Sequence, residues 1–241
     1  MIEVQKGTEP DGLKELREDS MVSGLSPKEA FKMLRNPLKA QVTECLKRDQ
    51  GQLCVYCMSR IPRDDKDAGI PGTTIEHFIP IDPVDGRDVG QGLDYQNLFA
   101  VCHGNARKHN KGVRRVTSKD TLTCDKHRSN TEFKKINPCR KDTLQSIFYT
   151  LDGRIGASDP DVEFDLVDTL NLNCASAPLI AERKAALDVL LEDIGRVEEE
   201  DLHNYCTDML EVFHNEGDPK TPYVGILIWY LQTMVNALRL L

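Results

Sequence analysis

From Ser26 onward apolar residues fall at helical intervals. Phe31, Leu34, Leu38, Val42 and Leu46 form one stripe, and Ser26-Pro27-Lys28-Glu29 supplies a cap residue, a first-turn proline and a glutamate three positions after the cap. This predicts a helix opening at Ser26 and kinked at Asn36-Pro37, because the residue before a proline is pushed away from helical geometry. Residues 1–25 follow neither the helical nor the strand period and are expected to form an extended arm lying on the body or on a partner. Between 51 and 130 the helical period disappears. Short β-prone runs, Thr73 to Ile79 and Leu98 to Val101, alternate there with turn residues, the pattern of a small, loop-rich unit.

Beyond 140, Asp152-Gly153 predicts a turn leading into Arg154-Ile155, a candidate hairpin, and helical periodicity then resumes. A helix with Pro178 just inside it, capped near Ser176, should present Ile180, Leu187, Leu191 and Ile194 on one face. Leu202, Cys206, Met209, Leu210 and Phe213 make a second stripe, and Val224 to Leu241 a third helix, apolar enough to complete the core or to dock on a partner. The expected fold class is therefore α+β, in three stretches: an arm and helix over 1–44, a small loop-rich core over 45–140, and a mainly helical region over 141–241.

Charge refines this division. The chain carries −8 overall, but residues 45–140 hold 17 Lys/Arg against 12 Asp/Glu, whereas residues 141–241 hold 7 against 19. The middle can meet phosphate and the C-terminal stretch should avoid it. The first residues contain acids and no apolar signal segment, and the last apolar stretch is interrupted by Gln232, Asn236 and Arg239, so a cytoplasmic protein without a membrane association is expected. In that reducing setting the eight cysteines point to metal or core use rather than disulfides.

Cys54-Val55-Tyr56-Cys57 follows Gly51 and the predicted helix, the arrangement of a knuckle whose two thiolates share one tetrahedral metal. A thioredoxin-like redox pair is the rival reading, but it needs a βαβ context that the flanking sequence lacks. Cys102 and Cys124 can complete a four-sulfur set, for which zinc is the natural occupant, with His103 and His109 as rival ligands. Between these cysteines lies Thr73-Thr74-Ile75-Glu76-His77-Phe78-Ile79-Pro80, an acid-histidine pair at the end of a β-prone run. A lone histidine there is usually structural. Adjacent Glu76, Asn97 opening the next run and Asp125 after the last cysteine favour a chemical role.

Glu76-His77-x-x-Pro80, Asn97-Leu98 and the Cys102/Cys124 pair resemble the HNH endonuclease motif in its zinc-bearing form. Over nearly the whole chain, through CVYC, IEHF, YQNL, VCHGN, CDKHRSN and LNLN, the sequence resembles the PtuB-like HNH proteins of Septu and certain retron anti-phage systems. That resemblance implies a ββα-metal core and a Mg²⁺ or similar ion held by Glu76 and a residue of the helix after Cys124. His77 would act as general base, with Asn97 fixing the loop between the strands. It also implies a PtuA-like ATPase as partner, nucleic acid as substrate with DNA favoured over RNA, and, in a retron setting, a reverse transcriptase and its DNA product.

The third motif position departs from the usual His or Asn. Asp125 is the positional match and His127 its rival, while Lys126 and Arg128 are expected to touch the nucleic-acid backbone. From His103 to Lys119 the chain carries Arg107, Lys108, Lys111, Arg114, Arg115 and Lys119 with no acid, a run suited to guiding phosphates without reading sequence. The reading from another class is a catalytically silent, zinc-stapled module that binds nucleic acid or a partner.

Overall fold

In a computed structural model, which describes residues 1–61, 73–82, 91–106 and 118–239, the chain is α+β. Among the described residues there are eight α-helices and two small antiparallel sheets. The predicted Ser26 cap forms as a reciprocal pair. Ser26 accepts from the Glu29 backbone N–H while the Glu29 carboxylate accepts from Ser26, opening α2 (Pro27–Met33). The expected kink at Asn36-Pro37 is a full break: α2 ends at Met33, Leu34 is extended, and α3 (Leu38–Asp49) starts afresh. Proline offers no N–H to the preceding turn and its ring disfavours helical geometry before it, so the stripe continues across two helices.

The first 25 residues are not wholly irregular. Helix α1 (Asp11–Glu18) forms within them, held by fully buried Leu13 and by Arg17, which pairs with Glu9 at 2.7 Å and donates to the Leu93 carbonyl at 3.0 Å. A helix this short with a single buried residue leaves no period to read. The segment before it packs on the chain's own body, with Val4 buried and its N–H donated to the Pro138 carbonyl at 2.8 Å.

Strands β1 (Thr74–His77) and β2 (Leu98–Val101) pair antiparallel, with Glu76 opposite Phe99 and His77 opposite Leu98. All four residues of β2 are buried, which makes it the floor of the central region. The short helix α4 (Cys124–Arg128) lies beside this pair. The Asp152-Gly153 turn does join a hairpin, β3 (Ile147–Tyr149) with β4 (Ile155–Ala157), Gly153 taking the positive φ that the turn requires. Helix α5 (Pro160–Phe164) follows, capped by the Asp159 carboxylate.

Helices α6 (Leu179–Ile194), α7 (Leu202–Asn215) and α8 (Val224–Leu238) complete the chain. Pro178 sits at the cap of α6 rather than inside it, with no side-chain cap from Ser176. The fully buried positions are Leu179, Arg183, Leu187 and Leu190; of the predicted stripe, Leu187 is among them and Leu191 and Ile194 pack against the core at its edge. Arg183 joins this face, its guanidinium donating to the Gly153 carbonyl at 2.6 Å and the Leu172 carbonyl at 2.9 Å. Helix α8 buries Val224, Ile226, Leu227, Leu231 and Val235 against the rest of the chain, so its apolar face completes this protein's own core. Buried residues of all three sequence stretches belong to one contiguous apolar cluster. No helix among the described residues is long and apolar enough to cross a membrane.

Candidate metal centre and adjoining acidic cleft

The end of α3 turns sharply at Gly51, which takes φ +61, and leads into the Cys54–Cys57 knuckle. The knuckle is closed by Met58 N–H donating to the Cys54 carbonyl at 2.9 Å and by the Leu53–Arg60 bridge. Buried Gln50 ties this loop to β2. Its amide donates to the Leu53 and Ala100 carbonyls at 2.8 and 2.7 Å, and its oxygen accepts from Ala100 N–H at 2.8 Å. Cys102 directly follows β2 and Cys124 is the first residue of α4, so three separate pieces of chain deliver sulfur to one point.

The sulfurs of Cys54, Cys57, Cys102 and Cys124 all lie within 4.8 Å of one another, and the Cys57–Cys102 and Cys102–Cys124 pairs are 3.7 Å apart. A tetrahedral zinc with ~2.3 Å bonds to sulfur separates its ligands by about 3.8 Å, so the spacing fits that ion. Hydrogen bonds from Cys102, then Cys124 and Cys54, hold Cys57 well below the ordinary thiol range. Cys124 is pushed well above it by its bonds to Cys102, Cys54 and Cys57 and by burial. Four thiolates this close repel one another unless a cation lies among them, and the four cysteines can hold a metal such as zinc. All eight cysteines are free of disulfides, and Cys45, Cys139, Cys174 and Cys206 are not in the set. His103, a rival ligand in the sequence, is not in it either, and its Nδ1 is buried without a partner. His109, Arg107, Lys108, Lys111, Arg114 and Arg115 lie outside the described residues.

Next to this centre is a cleft of about 270 Å³ lined by Glu76 and His77 from β1, Pro80 and Ile81 after it, and Asp125, Lys126, Ser129 and Asn130 from α4 and its end. Because Asp125 follows Cys124, whatever fixes the sulfur also fixes this carboxylate. Asp125 lies beside Glu76 on the cleft wall. Burial first, then Asp125, raises Glu76 well above the usual carboxylate range. Burial also pushes Asp125 upward, but hydrogen bonds from Glu76 and Lys126 outweigh it and hold this carboxyl below its ordinary value. The two neighbouring carboxyls are thus shifted in opposite directions, and a cation between them would favour the ionised form of both.

His77 is largely buried, which lowers its pKa from the ordinary imidazole value. Its Nε2 lies 3.0 Å from the Gly92 carbonyl. A carbonyl only accepts, so this nitrogen carries the hydrogen and Nδ1 keeps the lone pair. The edge of the Phe31 ring closes the other side, at 4.4 Å between centroids and 83° between planes. Asn97 is buried just before β2. Its oxygen accepts from Ile79 N–H at 2.7 Å, and its amide donates to the Ile79 and Gln91 carbonyls at 3.0 and 3.2 Å, fastening both ends of the segment between the strands.

Of the two rivals for the third motif position, Asp125 lines the cleft. His127 faces elsewhere, its Nδ1 3.0 Å from the Thr169 carbonyl. Lys126 pairs with Asp125 at 2.8 Å on the cleft wall. Arg128 requires a correction: expected to touch a nucleic-acid backbone, it is 1% exposed and fully engaged inside. Its guanidinium pairs with Glu76 and donates to Tyr56 Oη at 3.2 Å, to the His77 carbonyl at 3.1 Å and to the Phe78 carbonyl at 2.5 Å, while stacking on Phe133 at 4.2 Å. A cation four residues into a helix that begins at a buried sulfur points inward, because that helix face is the one turned toward β1.

Sequence reasoning missed Tyr56, Gln50, Gly92 and Phe31. Tyr56 alone carried a signal, standing inside the cysteine pair. No family model matches the chain, and no curated protein matches it significantly. Fold and site together define an α+β protein built around a four-cysteine centre that can hold a metal, with a histidine and paired carboxylates in the adjoining cleft.

Proposed function

We propose that this chain is a metal-dependent HNH endonuclease, with a zinc-stapled ββα-metal core, that hydrolyses phosphodiester bonds in nucleic acid. The observation that carries the reading is the convergence of Glu76, His77 and Asp125 on one cleft, with Nε2 of His77 committed to a backbone carbonyl. Glu76 and Asp125 suit a hard divalent cation such as Mg²⁺, which takes few protein carboxylates and completes its shell with water and phosphate. When bound, that ion would supply charge stabilisation at the scissile phosphate and the leaving oxygen. Nδ1 of His77 takes the proton from the attacking water. Phe31 and the Gly92 carbonyl hold the ring, Asn97 holds the loop that carries Gly92, and Arg128 keeps Glu76 in place.

The resemblance to PtuB-like proteins, together with the strongly acidic stretch 141–241, supports an effector of an anti-phage complex that works with a PtuA-like ATPase. The alternative is a silent module, stapled by zinc, that binds nucleic acid or a partner. Purified full-length chain, alone and co-expressed with the ATPase, should be incubated with plasmid DNA, single-stranded DNA and RNA in Mg²⁺ or Mn²⁺. Cleavage that His77→Ala removes by ~10²-fold or more, with fold and zinc content retained, is the expected result. Absence of cleavage under every condition, or equal cleavage by the variant, refutes the catalytic reading.

A further inference from the structure

Helix α2 lies outside the strands and helix that bear the candidate catalytic groups and does not line the cleft itself, yet it packs directly behind His77. Phe31 meets the His77 ring edge-on at 4.4 Å, and the backbone of Pro27 lies so close to Gly92 that a Cβ there would be 1.9 Å from the Pro27 carbonyl oxygen. Both groups that hold His77 are thus backed by α2. Lys28, Phe31 and Lys32 share one face of this helix, being three and four residues apart. On that face Lys28 reaches Asp82 at 2.9 Å, one residue past cleft-lining Ile81. Past the break, the Lys39 ammonium lies 5.6 Å from the centre of the Phe31 ring.

Lys32, Arg35 and Lys39 are exposed and make no ion pair among the described residues. The acid nearest in sequence, Glu29, is occupied by its cap with Ser26. We propose that the α2–α3 edge formed by Lys32, Arg35 and Lys39 is a track for the phosphate backbone of nucleic acid leaving the cleft past His77. The inference rests on the nuclease reading of that cleft and names where its substrate runs. One strand of a duplex carries a phosphate about every 3.4 Å of axis, so a diester seated at His77 brings its neighbours across a wall one side chain thick. Cations on both sides of Phe31 meet those phosphates. An acidic protein surface would be attracted too, but nothing would place it on the two sides of the residue that touches the base. Such a track holds phosphates without reading bases.

The test uses full-length, zinc-loaded protein with Ca²⁺ in place of Mg²⁺. Binding of fluorescein-labelled duplex DNA, and separately of its single strand, is measured by anisotropy across a salt series. The triple variant Lys32→Ala, Arg35→Ala, Lys39→Ala should bind more weakly and flatten the salt dependence by about one unit of slope per lost contact, that is by two to three units. The charge-conserving variant Lys32→Arg, Lys39→Arg should keep the wild-type slope, which separates lost charge from damaged folding. Unchanged slopes on both probes for the alanine variant, or a wild type that binds neither probe, overturns the track. Wild-type hydrolysis of bis(p-nitrophenyl) phosphate reads the catalytic centre independently. Turnover with unchanged slopes sinks the track alone, and flattened slopes without turnover sink the nuclease reading while leaving a nucleic-acid-binding face.

Discussion

Replacing Arg128 by methionine, which keeps volume and removes the guanidinium, should destabilise the central region severely. Arg128 is 1% exposed and donates to Glu76, Tyr56, the His77 and Phe78 carbonyls and, from Nε at 2.7 Å, the Thr131 carbonyl. Removing one partner of a buried ion pair costs about 3–5 kcal/mol, since the other charge stays uncompensated. The stranded carbonyls add to this, with each orphaned acceptor worth about 1–3 kcal/mol before relaxation. Part of the loss is recovered when Glu76 takes up a proton. Burial already raises its pKa and Arg128 opposes that rise, so deletion raises it further. A carboxyl whose folded pKa lies above the unfolded value favours folding while protonated and loses that advantage as pH rises through the folded pKa. The destabilisation should therefore be larger near pH ~8 than near pH ~5. Urea unfolding of zinc-loaded protein, followed by far-UV circular dichroism at both pH values, measures this, and Arg128→Lys should recover only part, because an ammonium cannot match the fork. A loss below about 1 kcal/mol at both values would refute the assignment of Arg128 as the pin between α4 and β1.

One zinc per chain is expected by elemental analysis, and Cys124→Ser should abolish cooperative melting of the central region, since that cysteine both joins the sulfur set and opens α4. Protein purified without chelator that contains no zinc would remove this claim. Asp125→Asn should suppress Mg²⁺-dependent cleavage by at least ~10²-fold, whereas His127→Ala should stay within a few-fold of wild type; the reverse order would move the ion ligand to His127. Burial keeps His77 neutral below its ordinary pKa, so the acidic limb of the rate–pH profile should fall below 6.5. A limb above that value would mean a base with a stabilised cation, contrary to the environment described.

Local rules sufficed for the elements whose signals are local. The Ser26 cap, the strands within the β-prone runs 73–79 and 98–101, the Asp152-Gly153 hairpin and the three C-terminal helices were legible because capping, alternation and turn chemistry act between near neighbours in sequence. The sulfur set was legible by residue type, since few roles suit a paired-cysteine knuckle and two further cysteines in such a segment. Long-range competition for hydrogen-bond partners decided the rest. Arg128 was expected at the nucleic-acid backbone, but backbone carbonyls and Glu76 draw it inside, and backbone carbonyls hold Arg183 inside on α6. That Asp125 lines the cleft while His127 reaches the Thr169 carbonyl follows from how α4 is seated, with Cys124 in the sulfur cluster. That Phe31 of a separate helix touches His77 has no trace in spacing or composition, because a contact across forty-six residues exists only once the intervening chain has folded back.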